Sequence, residues 1–154
     1  MLASALLCFV IGITDGDTIK ARCGEPGAYQ QVTVRLAAID APERRQPFGQ
    51  ASRQHLAALC FDQRAKITPR ATDRYGRMVG DVSCQGRDAG ADLVAHGMAW
   101  VYVRYATADD APLAHLQQRA RAARAGLWAQ SNPVPPWEWR KTTSSPSAPN
   151  RPAE

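Results

Sequence analysis

The chain has 154 residues, of which 45% are hydrophobic and 21% charged, proportions ordinary for one globular domain that can bury a core without help from a metal or disulfides. Its longest apolar stretch, Leu2 to Ile13, is broken only by Ser4 and Gly12 and is too short to span a bilayer. Nineteen Lys and Arg against fourteen Asp and Glu leave a net charge of +5 and a pI near 9.3, a balance that suits a polyanionic partner such as nucleic acid, or an anionic membrane surface.

At the N-terminus, Ala3-Ser4-Ala5 is an A-x-A pattern of the kind signal peptidase cuts, yet no Lys or Arg precedes Lys20. Residues 1–7 therefore read either as the remnant of a longer signal peptide or as an apolar lead-in to the first strand. Cys8 to Thr14 and Thr18 to Cys23 are β-rich runs joined by Asp15-Gly16-Asp17, a strong hairpin signal. Gln31 to Ile39 alternates apolar and polar residues, as a strand with one buried face does. Pro42 and Pro47 interrupt regularity before a helix predicted over Gly49 to Cys60. Lys66 to Thr68 and Met78 to Ser83 read as strands on either side of the loop Thr72 to Arg77. A short helix follows over Asp88 to His96, capped by Asp88 and stopped by Gly97, and Met98 to Tyr102 is β-prone. Asp110 is placed to cap a longer helix with the stripe Leu113, Leu116, Ala120, Ala123 and Leu127, leaving Arg119, Arg121 and Arg124 on a solvated face. Residues 131–141 are Pro- and Trp-rich, with Trp137 and Trp139 expected to pin the segment to the domain. Residues 142–154, with three prolines, three serines and no large apolar residue, are expected to be a disordered tail. Five strands with about three helices fit an α+β fold built on a closed barrel of the OB type.

Four cysteines lack any C-x-x-C spacing, and the three histidines do not cluster with them, so a zinc site is not expected. Two disulfides in an oxidising compartment and four buried thiols both fit the count.

Three polar stretches carry the chemistry. Asp15-Gly16-Asp17-Thr18 places carboxylates at a tight turn where a hard cation can be gripped, although Asp-Gly is also the commonest hairpin turn. In Arg35-Leu36-Ala37-Ala38-Ile39-Asp40-Ala41-Pro42-Glu43, three ionisable groups crowd one strand end. Such crowding costs desolvation unless a metal and an anion compensate it, or it is simply a surface ion pair. Asp73-Arg74-Tyr75-Gly76-Arg77 can offer a guanidinium to phosphate while Tyr75 packs on a sugar or base.

Taken in order, D-G-D-T, R-L-x-x-I-D-A-P-E and D-R-Y-G-R, with Gly97 to Tyr102 and Gly126-Leu127-Trp128 behind them, resemble the staphylococcal nuclease (thermonuclease) family over residues 8–130. The resemblance implies an OB-fold nuclease domain there, in a secreted or periplasmic bacterial protein that hydrolyses DNA or RNA with Ca²⁺. It implies that Asp17, Asp40 and the backbone carbonyl of Ala41 ligate calcium, with Asp15 in an outer shell. Glu43 would orient or activate water, and Arg35 and Arg77 would hold the phosphate. Arg74, Tyr75, Tyr102 and Tyr105 would meet the substrate, and the resemblance also implies an endonuclease that leaves 3′-phosphate ends. Ala41 and Val103 depart from the best-known member, which has Thr and Tyr there; a backbone ligand survives the first change, and the second bears on base stacking. The competing readings are a non-catalytic OB module that binds nucleic acid or protein, and a calcium-binding structural domain. The retained acids and arginines favour an enzyme, expected to act as a monomer. In a hairpin turning at Gly16, residues whose numbers sum to about 32 face each other, which pairs Cys8 with Cys23. In a barrel of the nuclease type the ends carrying Cys60 and Cys84 lie close enough for the second bridge.

Overall fold

The computed structural model describes residues 4–143. In chain order its strands and helices are β1 (Leu6–Asp15), β2 (Thr18–Cys23), β3 (Gln30–Leu36), β4 (Ile39–Asp40), α1 (Gly49–Cys60) and β5 (Arg64–Thr72). They are followed by β6 (Met78–Cys84), β7 (Arg87–Asp88), α2 (Ala89–Ala95), β8 (Trp100–Val101), α3 (Ala111–Ala122) and α4 (Pro136–Thr143).

The Asp-Gly turn folds β1 onto β2 with Ile13 opposite Ile19 and Cys8 opposite Cys23. Along β2 the alternation is plain: Ile19, Ala21 and Cys23 point inward, and Lys20 and Arg22 outward, as a period of two requires. β3 pairs antiparallel with β2, β5 with β1, and β6 with β5. β3 and β6 then run parallel, Val34 opposite Met78 and Leu36 opposite Gly80, which closes five strands into a mixed barrel of the expected OB type. Val10, Ile19, Val34, Leu56, Ile67, Val82 and Leu93 are fully buried in its core. Truncating one of the larger of these to Ala costs about 2–5 kcal/mol.

Both bridges form, Cys8–Cys23 with Cα atoms 4.2 Å apart and Cys60–Cys84 with Cα atoms 5.4 Å apart. Each closes a short loop of chain and contributes about 3 kcal/mol in the loop-entropy model.

Several elements differ from expectation for identifiable reasons. β5 continues past Thr68 to Thr72, because the ladder shifts register between Pro69 and Ala71 and so accommodates the proline. α3 stops at Ala122, so Ala123 is exposed, and Leu127 is buried from a separate 3₁₀ turn, Gly126–Ala129. Asp110 does not cap α3 with its side chain. Its carboxylate accepts from the Thr107 N–H and from both Nη atoms of Arg70, a partner 40 residues away. α4 is a fourth helix inside the Pro-rich segment: Pro136 suits a first helical turn, where no N–H is needed, and Thr142 and Thr143 extend the helix into the expected tail. The rest of that tail, residues 144–154, and the leading residues 1–3 lie outside the described residues. Among the described residues no helix is long and apolar enough to cross a membrane.

Candidate active site

Three backbone devices converge on one rim of the barrel. First, the β2–β3 register sets Thr18 opposite Arg35, and the Leu36 N–H donates to the Asp17 carbonyl at 2.8 Å, so the hairpin turn lies against the end of β3. Second, Ala38 takes a left-handed φ of 66°, turning the chain into β4, where Asp40 pairs with Trp100 of β8. Third, two glycines admit close approach. A Cβ on Gly16 would stand 2.6 Å from that of Ser52 and 3.0 Å from that of Ala41, and one on Gly49 would overlap the carbonyl oxygen of Glu43. Larger residues at either position would push the acidic turn or the Glu43 loop off the barrel.

The side chains so gathered form a dense polar network. Asp40 is 0% exposed and Asp17 7%. Arg35 donates through Nη1 to the carbonyls of Leu36 and Ile39 at 3.1 and 3.0 Å, and through Nη2 to Asp40 Oδ1 at 3.2 Å. Its Nη1 also lies 3.4 Å from Asp17 Oδ2. That oxygen accepts from the Ala41 N–H at 2.8 Å, which ties the peptide between Asp40 and Ala41 to Asp17. Burial pushes the Asp40 carboxyl above the ordinary range, and a hydrogen bond from Arg140 pulls it back part of the way. Burial and then the neighbouring Asp17 charge raise Asp15 as well, whose Oδ1 is 3.8 Å from Arg44 Nε. Glu43 has its N–H on Gln46 Oε1 at 3.0 Å, while Gln46 Nε2 donates to the Val134 carbonyl at 2.6 Å, tying the Glu43 loop to the chain just before α4.

Hard carboxylate oxygens are the donor set that calcium takes. Two of these acids are buried, and as anions they need cationic charge, part of which Arg35 and Arg140 supply in this structure. The residues present therefore fit a hard divalent cation.

The expected residues fall into three places. Asp17, Arg35, Asp40 and Glu43 share one network, with Asp15 at its edge. Arg77, Arg74 and Tyr75 form a rim loop of their own. There Asp73 accepts from the N–H groups of Tyr75 and Arg77 and from Arg77 Nε at 2.7 Å, while both guanidiniums lie over the Tyr75 ring. Desolvation raises the Asp73 carboxyl, but the backbone and side-chain bonds from Arg77 and that from Tyr75 outweigh it and hold Asp73 below its ordinary range. Tyr102 and Tyr105 stack with ring centres 4.9 Å apart. Tyr102 also lines a cleft of about 550 Å³ with Val103, Arg104, Trp137, Glu138, Arg140 and Lys141. A second cluster, His55, Asp92 and His96, has ligand atoms within 4.8 Å of one another, and its 2.7 Å contact from His55 Nε2 to Asp92 Oδ2 ties α1 to α2.

Arg140 is the residue that sequence reasoning missed. From α4 it donates to both oxygens of Asp40 and to Glu43 Oε1. Nothing local marks it, for it lies beyond the motif blocks in a segment legible only as Pro- and Trp-rich.

Residues 33–130 match the family model described as staphylococcal nuclease homologue. The chain belongs to the staphylococcal nuclease family. It is 39% identical over 145 residues to a micrococcal nuclease of Shigella flexneri, with 88% of this chain and 81% of that one covered. It is also 40% identical over 145 residues to the protein ParB of Escherichia coli, covering 88% and 80%. An uncharacterized endonuclease of Haemophilus influenzae is 38% identical over 134 residues, covering 87% and 72%. Family and relatives together support a hydrolase that acts on nucleic acids.

Proposed function

We propose that the chain is a calcium-dependent phosphodiesterase that cleaves DNA and RNA internally by in-line attack of water on phosphorus, leaving 3′-phosphate ends. The observation that supports this reading is the convergence of buried Asp17 and Asp40 with Arg35 on the barrel rim, Glu43 three residues beyond Asp40 in the same network. Asp17, Asp40 and the Ala41 carbonyl would hold calcium, with Asp15 outside them. When bound, the ion supplies Lewis-acid charge to a phosphate oxygen and a site for an ordered water. Arg35 presents a guanidinium whose place is fixed before substrate arrives, so the charge that builds on the phosphate oxygens meets a preorganised cation. Arg77 closes on the same phosphate from the rim loop, exchanging Asp73 for a phosphate oxygen. Glu43 holds the attacking water and accepts its proton. Arg74, Tyr75, Tyr102 and Tyr105 would cradle the flanking sugar and bases through charge and stacking, which suits single strands of any sequence.

Two disulfides favour work in an oxidising compartment, secreted or periplasmic. The deciding experiment incubates purified protein with plasmid DNA and with RNA, each with calcium or with EGTA. Degradation only with calcium is expected. Intact substrates under every condition would leave a non-catalytic binding module.

A further inference from the structure

The carboxylates assigned above to calcium and to water already carry a cation. Arg140 Nη2 donates to Asp40 Oδ2 at 2.7 Å, and Nη1 donates to Asp40 Oδ1 at 3.1 Å and to Glu43 Oε1 at 2.7 Å. Its side chain is 40% exposed and that of Asp40 1%, so the guanidinium lies on the solvent side of an acid that is otherwise enclosed. A planar fork bonded to both oxygens of a carboxylate takes the lone pairs that a metal needs, and its charge repels a second cation brought to the same oxygens. The arginine is delivered by a helix of eight residues anchored at its start. Pro136 is buried, Trp137 packs edge-on against Trp100 and Tyr102 at 5.7 and 5.2 Å between ring centres, and the preceding Val134 carbonyl accepts from Gln46.

We propose that α4 is an internal latch, in which Arg140 stands in for calcium on Asp40 and Glu43 and must be displaced for the ion to bind. This rests on the calcium reading of the site. In the metal-free protein the latch neutralises the acidic cluster and keeps Asp40 from water. Because Trp137 and Arg140 also line the cleft beside Tyr102, releasing the latch changes that cleft in the same movement. Calcium binding and access to the cleft are thereby coupled through one short helix.

The test is calorimetric titration of calcium into the full chain without nucleic acid, comparing wild type with Arg140→Ala and Trp137→Ala. An apparent Kd is weakened by the fraction of molecules whose site is closed, so a chain latched nine times in ten binds about tenfold more weakly than its open form. Both variants should therefore bind calcium more tightly, Arg140→Ala by about tenfold or more. Trp137→Ala keeps every carboxylate and the arginine itself, so it carries the test if Arg140→Ala folds poorly. Equal or weaker affinity in the folded variants would overturn the latch while leaving the calcium site standing. If neither wild type nor a folded variant binds calcium, the calcium reading falls and the latch falls with it.

Discussion

Arg35 and Arg77 are both assigned to phosphate, yet the protein holds them in opposite ways. Arg35 is 17% exposed in its side chain and is fixed by two backbone carbonyls and two acids drawn from the hairpin turn and β4. Arg77 is 34% exposed and paired with Asp73 of its own loop, four residues away. An ion pair of the first kind cannot be broken without stranding a buried charge, at a cost of about 3–5 kcal/mol. One of the second kind is worth about 0–1 kcal/mol in water and can be exchanged for a phosphate at little cost. Under the proposed function the site would thus join a cation set in place by folding to one that substrate can recruit.

Substitution separates the two. Arg35→Gln should lower kcat roughly 10³-fold or more and also destabilise the fold by about 3 kcal/mol, read by turnover and by denaturant unfolding. Loss of activity with unchanged stability would mean that Arg35 is not part of the buried network in solution. Glu43→Gln, in the same region but half exposed, should lower kcat roughly 10²–10³-fold with little change in stability, and should flatten the pH–rate profile. An unchanged slope would assign Glu43 to holding water without moving its proton. Arg77→Gln should cost roughly 10²-fold in activity and leave the unfolding midpoint where it was; a large fall in stability would show that the rim loop is integral to the barrel.

Asp73→Asn sharpens the comparison further. The amide keeps an oxygen for the turn but releases Arg77 from its ion pair, so KM should fall about threefold, in keeping with an exposed pair worth under 1 kcal/mol. A rise in KM would show that Asp73 aims Arg77 and does not restrain it. A further effect, on stability alone, belongs to an arginine outside the site, Arg70, which is forked between Asp81 and Asp110. Arg70 first, then the Thr107 bonds working against burial, lower Asp110 from 3.8 to about 2. A depressed folded-state value contributes stability that is complete above pH 4 and is lost as pH falls toward 2. After allowance for the partly exposed Arg70, the loss should be about 1 kcal/mol, and Asp110→Asn should remove that pH dependence from acid-unfolding curves.

What could be read from the sequence follows the range over which each signal acts. The β1–β2 hairpin and its Cys8–Cys23 bridge were legible because turn chemistry and alternation set the register within sixteen residues. α1 was legible because a helical periodicity sets in directly after Pro42 and Pro47. Asp15, Asp17, Arg35, Asp40 and Glu43 were legible as crowded charged groups around a turn and a strand end, and it was the order of the three motif blocks that singled them out as a site. By contrast, the partner of Asp110 lies on β5, and the cation on Asp40 comes from 100 residues downstream. Neither pairing leaves a local trace, since an arginine on a short helix looks the same whether it meets water or a buried acid.

The parallel pairing of β3 with β6 has a kinetic consequence. Val34 and Met78 are far apart in the chain, and loop closure makes such a contact slow to form beside the local β1–β2 and β5–β6 hairpins. Neither disulfide spans it, for one staples β1 to β2 and the other ties the end of α1 to the end of β6. Arg35 sits on one strand of that pairing, so a molecule that has folded its hairpins and formed both bridges is expected to gain its working site only when the barrel closes. Cleavage of a labelled oligonucleotide during refolding should lag behind the appearance of β structure. Such a lag would keep a half-folded chain from cutting the nucleic acid it meets.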